Sequence, residues 1–370
     1  MEKNKIVKIG CASAFWGDTS SAAPQLVYSG IIDYLVFDYL AEVTMSILAG
    51  AKLKNTDMGY ATDFVKHMSP LLSELKKRGI KVISNAGGIN PEACRAAVME
   101  EAIKAGVELN IALVRGDNLV DQKKQLQALP VTELETGHTM PDGITSINAY
   151  LGAHGIQHAL EQGADMVITG RCVDSAVVLG PLMYEFGWKA DDYDLLAAGS
   201  LAGHIIECGA QCTGGNFTDW HLVDNFDDMG FPIVEVESNG NFIVTKPNGT
   251  GGIVSFGSVA EQILYEIGDP QNYILPDVAC DFTNVTMKEI GNDQVFVSGA
   301  RGRPPSNTYK VSATYLMGYR ISIAVIIIGI NAAKKAKVSA EAIIKKTERM
   351  FSDNDWSNYT DTKISIIGTE

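Results

Sequence analysis

The chain has 370 residues, of which 46% are apolar, and its formal net charge is −14. A chain of this length and apolar content can bury one large or two ordinary cores, so we expect a globular protein with two domains. It has no cluster of lysines or arginines that would bind a phosphate backbone. We therefore expect no nucleic-acid partner.

The longest apolar run extends from Ile321 to Ile330. This run has about half of the roughly 20 residues that a helix needs to cross a bilayer, so we predict no membrane partner. The N-terminus lacks the apolar segment of a signal peptide. We expect a soluble, cytoplasmic protein. Because both sides of the run need a cover, we also predict a homo-oligomer. The six scattered cysteines are typical of a reducing compartment.

Five short apolar runs predict buried strands that end in glycine or polar residues, at residues 6–10, 34–38, 81–85, 109–114 and 165–169. Helical patterns separate them. Residues 60–78 have one apolar face and end at Gly79, and Asn90 with Pro91 begins a second helix that runs to Gly106. This alternation is typical of parallel strands joined by right-handed crossovers.

We predict the α/β class, with an open, doubly wound parallel sheet over residues 1–225. A modified β/α barrel is the alternative. The pattern then changes to two hairpins, formed by residues 232–236 with 242–245 and residues 285–290 with 295–298. These hairpins predict a second, α+β domain over residues 226–370. Since the chain stops at Glu370 within a strand-like run, we expect that domain to be shortened at its C-terminus.

Polar residues follow the predicted strands. Because the carboxyl ends of parallel strands meet at one edge, we expect these side chains to face one rim: Asp38, Asn85, Asp117, Arg171 and Asp174. Asp38 and Glu42 are four residues apart, which suits either one acid and one base or the capping of the next helix.

The densest group of reactive side chains lies between Gly203 and Trp220 and includes His204, Glu207, Cys208, Gln211 and Cys212. His204 and Glu207 share a helix face, so the pair suits a hydrogen-bonded base, with a buried core histidine as the alternative. The two cysteines have the spacing of metal ligands, but no second pair of ligands accompanies them. We therefore predict buried thiols and no metal.

A turn with anion-binding character follows residues 242–245 and contains Lys246, Gly249, Thr250 and Gly251. It precedes a helix predicted over residues 258–268, whose N-terminus would favour phosphate or carboxylate. A plain turn is the alternative. If the lysine binds an anion, Lys246→Met should weaken ligand binding and leave the melting temperature nearly unchanged.

Arg301 and Arg303 lie on a stiff turn rich in glycine and proline, where they would either clamp an anion or lie exposed at the surface. The chain contains no Gly-x-Ser-x-Gly nucleophile elbow, and no Gly-x-Gly-x-x-Gly follows the first strand. We therefore predict no nicotinamide cofactor, and no other cofactor is indicated.

Taken together, these motifs resemble the acyclic terpene utilisation protein family, AtuA. The resemblance runs from about residue 6 to 335 and rests on Phe15-Trp16-Gly17-Asp18, residues 35–45, Asn85-Ala86-Gly87-Gly88, Thr169-Gly170-Arg171 with Asp174, residues 207–211, residues 246–252 and residues 299–315. It implies a role in the catabolism of acyclic terpenoids and other branched acids through acyl-CoA intermediates. It also implies a further small C-terminal module or partner protein.

We hypothesise a hydro-lyase or isomerase that acts next to the carbonyl of a small carboxylate or acyl-CoA by hydration, dehydration or isomerisation. Glu207 or Asp38 would be the base, with His204 or Cys208 as the acid and Glu42 as a further catalytic candidate. The substrate would be bound by Asn85, Arg171, Asp174, Gln211, Lys246, Gly249, Thr250, Gly251, Arg301 and Arg303. The alternative is a non-catalytic acyl-CoA-binding or scaffold subunit of a carboxylase-type complex.

Overall fold

The protein is described by a computed structural model that covers residues 5–368. Its strands are β1 Ile6–Cys11, β2 Tyr34–Phe37, β3 Lys81–Ser84, β4 Ile111–Val114, β5 Ile144–Ala149, β6 Met166–Thr169, β7 Ile233–Glu237, β8 Phe242–Thr245, β9 Tyr273–Ile274, β10 Ala279–Asp281, β11 Thr286–Gly291, β12 Gln294–Ser298, β13 Arg301–Arg303 and β14 Val311–Tyr315. Its α-helices are α1 Ala22–Ser29, α2 Glu42–Lys54, α3 Thr62–Met68, α4 Leu72–Arg78, α5 Pro91–Ala105, α6 Lys123–Gln127, α7 His154–Glu161, α8 Ala176–Phe186, α9 Tyr193–Ile206, α10 Phe256–Leu264 and α11 Ala332–Asp353. The chain forms two compact units, Met1–Leu316 and Met317–Glu370.

The core of the first unit is a nine-stranded sheet in the order β11-β12-β8-β7-β1-β2-β3-β6-β4. The five strands from β1 to β4 in that order pair in parallel. Strands β7, β8, β12 and β11 extend the sheet beyond β1 through antiparallel pairs. Because β11 and β4 form its two edges, the sheet is open. The predicted α/β class with a large parallel sheet is confirmed, and the sheet does not have the barrel form of the alternative.

Helices cover both faces of the parallel strands, which explains why those strands are continuous apolar runs. Leu35 and Phe37 point to one face and pack against side chains of helices α1 to α5. Tyr34 and Val36 point to the other face and pack against helices α7, α8 and α9. This alternation buries β2 on both sides and fixes which face each helix occupies.

The two predicted helices of the first half are present. The pattern over residues 60–78 forms α3 and α4, which are joined by a 3₁₀ turn at Ser69–Leu71 because Pro70 has no N–H for a continuous helix. Helix α4 ends where Gly79 adopts φ of 70°. Helix α5 begins after Asn90, whose side chain accepts a hydrogen bond from the backbone N–H of Ala93.

Both predicted hairpins also form, as β7 with β8 and β11 with β12, but they belong to the same sheet as the first half. Strand β7 pairs along β1, with Val234 opposite Ile9, and so continues the sheet where β1 would otherwise be an edge. A domain boundary near residue 225 is not confirmed by these pairings. The helix expected over residues 258–268 is α10, which begins two residues earlier and ends at Leu264.

Two small sheets complete the first unit. Strand β14 pairs with β5, and β10 lies between β13 and β9. Strand β5 has the sequence Ile-Thr-Ser-Ile-Asn-Ala, and because it contains polar residues it does not form a continuous apolar run. Its last residue, Ala149, lies opposite Val311, so the pairing joins parts of the chain that are distant in sequence.

The second unit contains α11, around whose C-terminal end Phe351 packs against Trp356 and Tyr359. The apolar run from Ile321 to Ile330 forms neither helix nor strand, and Ile326 is 87% exposed. The predicted homo-oligomer, which depends on a cover for this run, stays a prediction. Between residues 5 and 368, no helix is both long and apolar enough to cross a membrane.

Candidate active site

Strands β2, β3 and β6 end at the same edge of the sheet, and a polar residue follows each end: Asp38, Asn85 and Arg171. Helix α9 ends beside them, since the thiol of Cys11, the last residue of β1, donates to the backbone carbonyl of Glu207 at 3.7 Å. Asp38, Asn85 and Arg171, which were expected at one rim, lie together with Glu207, and each of the four is at most 5% exposed. The term carboxyl cluster is used below for Asp38, Asp174, Glu207 and Arg171.

Asp38 is held by residues that follow β2 and β3. The side-chain amide of Asn85 donates to Asp38 Oδ1 at 2.6 Å, and the backbone N–H of Leu40 donates to the same oxygen at 3.2 Å. Asn85 is fixed in turn, because its Oδ1 accepts from the backbone N–H of Tyr39 at 2.8 Å. Burial raises the pKa of Asp38 well above its usual value, and the charges of Asp174 and Glu207 raise it further. Asn85 therefore orients a carboxyl group that favours its protonated form.

Arg171 is the buried cation of the cluster. Its Nη1 donates to the backbone carbonyl of Leu40 at 2.6 Å and to Asp174 Oδ1 at 2.8 Å. Its guanidinium carbon lies 4.2 Å from the centre of the Tyr150 ring, a cation–π contact. The Nε atom is buried and has no hydrogen-bond partner among the described residues. Arg171 is thus held in place while one of its donors remains unused.

The turn that carries Arg171 is shaped by a second buried carboxylate. Asp117 Oδ2 accepts from the backbone N–H of Arg171 at 2.9 Å and from the side-chain amide of Asn148 at 2.8 Å. A Cβ at Gly170 would collide with the carboxyl group of Asp117, so this approach requires glycine. Asp117 therefore positions the arginine without contacting the guanidinium.

Glu207 forms a buried pair with His204, as the three-residue spacing predicted. His204 Nδ1 lies 3.1 Å from Glu207 Oε1. Burial raises the pKa of Glu207 well above its usual value, with further contributions from Asp174 and Glu266, whereas burial lowers the pKa of His204. The lowered pKa favours the neutral form of the imidazole. Nothing within residues 5–368 bonds to its Nε2 atom.

Glu42, Tyr150 and Lys310 form the outer part of the site. The hydroxyl of Tyr150 donates to Glu42, and Lys310 Nζ lies 3.1 Å from Glu42 Oε1 and 4.7 Å from the centre of the Tyr150 ring. Burial alone would raise the pKa of Glu42, but the hydrogen bonds from Tyr150 and Lys310 outweigh it and hold the pKa at about 2. Glu42 is thus a paired carboxylate, and its catalytic role stays a prediction.

Asp174 and Cys208 connect the cluster with solvent. The side chain of Asp174 is 29% exposed, and Cys208, next to Glu207, is half-buried. Burial raises the pKa of the Cys208 thiol, which favours its neutral form. Gln211 lies one short turn further on, in the 3₁₀ segment Gly209–Gln211. Within residues 5–368, no group of three or more His, Cys, Asp or Glu side chains is arranged to hold a metal ion.

Lys246 lies outside the cluster and has internal partners. Its ammonium group contacts Asp293 Oδ2 at 3.0 Å and donates to the backbone carbonyl of Thr250 at 2.9 Å, so the turn with Gly249 and Gly251 folds around its own lysine. The N-terminus of α10 is satisfied as well, since its capping residues Ser255 and Ser258 bond each other's backbone N–H groups. These contacts favour a structural role, and the proposed anion site stays a prediction.

Arg301 and Arg303 also lie apart from the cluster, on strand β13. Arg301 Nη1 contacts Asp194 Oδ2 at 2.7 Å, and Arg303 Nη2 donates to the backbone carbonyl of Gln271 at 2.8 Å. A cavity of about 160 Å³ beside Arg301 is lined by Asp194 and Asn241, among others, and by no residue of the carboxyl cluster. The two arginines thus have protein partners at the surface, and their role as clamps stays a prediction.

Several groups at the site were not predicted. Tyr150 directly follows β5, and Lys310 directly precedes β14, so the pairing of these two strands places both at the rim. Tyr273, on β9, lies with its ring centre 5.9 Å from that of His204. Glu266, just after α10, has φ of 59°, a left-handed conformation that is uncommon for glutamate and is often found at functional sites.

The fold is an open α/β sheet with a buried group of acids at the carboxyl ends of its parallel strands, the edge at which α/β proteins commonly bind ligands. The family model of the acyclic terpene utilisation family protein AtuA matches residues 7–370, and the chain belongs to this family. Membership suggests a role in acyclic terpene utilisation. Neither a curated protein nor a solved structure matches the chain.

Proposed function

We propose that the protein is an enzyme of acyclic terpenoid or branched-acid breakdown that performs acid–base chemistry next to the carbonyl of a carboxylate or acyl-CoA. The reaction would be a hydration, dehydration or isomerisation. One observation carries the proposal: three acidic side chains of the carboxyl cluster surround a single arginine, Arg171, in a largely buried site. Acids that share one cation in such a site cannot all be ionised near pH 7, so proton donors and acceptors lie side by side.

The geometry suggests a role for each group. Arg171 would donate from its free Nε to the substrate carbonyl and stabilise the negative charge that develops when the neighbouring carbon loses a proton. Glu207 would take that proton, supported by His204 at 3.1 Å. Asp38, held protonated by burial and oriented by Asn85, would supply a proton to a leaving hydroxyl group or to the substrate carbon.

The non-catalytic alternative also has an observation in its favour. Asp38 and Glu207 are only 5% and 4% exposed, so a substrate would reach them past Asp174 and Cys208. A subunit that binds acyl-CoA without turnover, or that scaffolds a carboxylase-type complex, would need no access to these two carboxyl groups. Turnover therefore separates the two proposals.

The first experiment offers the purified protein a panel of branched acyl-CoA thioesters and compares Glu207→Gln with the parent. If Glu207 is the base, its amide keeps the shape but accepts no proton, and we expect turnover to fall by about 10²-fold or more with affinity within a few-fold. The matched control is Glu235→Gln, on β7, whose carboxylate pairs with Lys8 at 2.8 Å outside the cluster. This control should keep full turnover.

Asp38→Asn completes the test, because it removes the proposed acid and keeps the hydrogen-bond geometry with Asn85. Full activity in both Glu207→Gln and Asp38→Asn would refute the catalytic proposal for these carboxyl groups. Binding of an acyl-CoA without turnover in the parent protein would instead support the non-catalytic subunit. Thermal unfolding of each variant, followed by circular dichroism, separates loss of chemistry from loss of fold.

A further inference from the structure

The carboxyl cluster contains more acidic than basic side chains. Asp38, Asp174 and Glu207 are acidic, and Arg171 is the single basic side chain of the cluster. The next cation along the rim is Lys310, but its ammonium group is already paired with Glu42 at 3.1 Å. Because Arg171 is itself paired with Asp174 at 2.8 Å, a further negative group that entered this site would find both cations already paired.

The arginine itself is largely engaged. Nη1 of Arg171 bonds both Leu40 and Asp174, and its guanidinium face lies on the Tyr150 ring. Among its buried donors, Nε has no partner in the described part of the chain. An unpartnered buried N–H costs free energy, so a ligand that supplies an acceptor there is favoured. A carbonyl oxygen satisfies this need without adding a charge.

We infer that the carboxyl cluster binds its substrate through a neutral carbonyl group, such as that of a thioester, and discriminates against a free carboxylate. The inference rests on the proposed function and decides between the two substrate classes left open there. A bound carboxylate would be a fourth acidic group around one guanidinium, and like charges repel strongly where water is excluded. A thioester carbonyl adds no charge and can accept the unused N–H of Arg171.

The groups around the site support this assignment. Burial and the neighbouring acids raise the pKa of Asp38, Asp174 and Glu207, so a negative charge is already disfavoured there. The titratable and charged side chains that face the cluster are Cys11, Glu42, Tyr150, Cys172, His204, Cys208, Tyr265, Glu266, Tyr273 and Lys310. Only the paired Lys310 among these is a permanent cation at neutral pH.

The test is calorimetric titration with three ligands that share one acyl chain: 3-methylbutanamide, 3-methylbutanoate and the N-acetylcysteamine thioester of 3-methylbutanoic acid. At about pH 8 we expect the neutral amide to bind at least about ten-fold more tightly than the carboxylate. The carboxylate should gain several-fold between about pH 8 and pH 6, as the cluster takes up protons, while the amide stays unchanged. Tighter binding of the thioester than of the amide would point to an activated acyl group as the source of the carbonyl.

Asp174→Asn sharpens the test, since Asp174 is the least buried acid of the cluster. Removing this charge should improve carboxylate binding by about ten-fold relative to amide binding, so the preference for the amide should shrink. Asp194→Asn is the matched control, because Asp194 pairs with Arg301 away from the cluster. This control variant should leave the binding of both the carboxylate and the amide unchanged.

Two results would overturn the inference: a carboxylate that binds as tightly as the amide at about pH 8, or no binding of any of the three ligands at about 10 mM. Should Asp174→Asn fail to fold, the pH series on the parent protein still decides. The proposed function fails in a different way, through absence of acyl-CoA turnover while the preference for the amide remains.

Discussion

The two halves of the nine-stranded sheet differ in the balance of their buried positive and negative side chains. In the antiparallel half, the buried ammonium group of Lys246 meets the carboxylate of Asp293 at 3.0 Å, one cation for one anion. In the parallel half, three acids of the carboxyl cluster share Arg171. Both halves contain buried charge, but only the first is balanced.

We interpret the balanced pair as contributing to stability and the unbalanced acids as contributing to function. Balanced pairs hold a turn or a strand end in place, as Lys246 does for the turn that ends at Thr250. Unbalanced acids cost stability and are retained where their perturbed pKa values are useful. If this contrast holds, substitutions in the unbalanced half should have larger effects than substitutions of balanced or exposed pairs.

Arg171→Met should be the most damaging change. It leaves Asp38, Asp174 and Glu207 without their cation, and loss of one partner from a buried ion pair typically costs about 3–5 kcal/mol. The loss should be smaller at about pH 5, where the acids are protonated. Urea unfolding at the two pH values measures both effects. Arg171→Lys keeps the charge, so it should recover most of the stability but not ligand binding, since lysine lacks the planar fork.

Lys246→Met should have the next largest effect, at about 2 kcal/mol, because the carbonyl of Thr250 and the carboxylate of Asp293 lose a donor. This expectation reverses the one drawn from sequence, in which ligand binding weakens and the melting temperature holds. Asp293→Asn and the double variant complete a cycle that isolates the pair. Unchanged stability with weaker ligand binding would restore the anion site.

The stability of the protein should fall as pH rises from about 5 to 8. The pKa values of Asp38 and Glu207 are raised in the folded state, so above the unfolded values of about 4 the folded state holds more protons. Rising pH then removes stability, by roughly 1 kcal/mol per unit. Urea unfolding of Asp38→Asn/Glu207→Gln should give a flatter pH profile, whereas Glu235→Gln should keep the slope of the parent.

Arg301→Met should have the smallest effect. The substitution is the same as at Arg171, but the side chains of Arg301 and its partner Asp194 are 65% and 52% exposed. Exposed pairs contribute less than about 1 kcal/mol, and we expect no change in ligand binding. A loss of stability comparable to that of Arg171→Met would break the contrast between balanced and unbalanced charge.

Much of the fold was predictable because strands buried on both faces are continuous apolar runs. Asp38, Asn85 and Arg171 were predicted as neighbours for the same reason, since each follows such a run and parallel strands end at one edge. Glu207 was found from the density of reactive groups around it. These inferences need only local patterns and the rule for parallel sheets.

What could not be predicted depends on partners distant in sequence. Lys246 reads as a free cation until the hairpin of β11 and β12 brings Asp293 to it. Tyr150 and Lys310 reach the site only because β5 pairs with β14, and β5 has no apolar pattern of its own. The sheet also gains its antiparallel half through pairing of β7 with β1, which composition alone does not specify.

Strand β6 lies between β3 and β4 in the sheet, although β4 precedes it in the chain. Arg171 follows β6, so its guanidinium reaches the acids only after β6 has paired between β3 and β4, which both precede it in the chain. Tyr150 reaches the site only when β14 pairs with β5, which brings Val311 opposite Ala149. Long-range pairings form slowly. During refolding, secondary structure should therefore return before ligand binding, and the site should be among the last parts of the molecule to assemble.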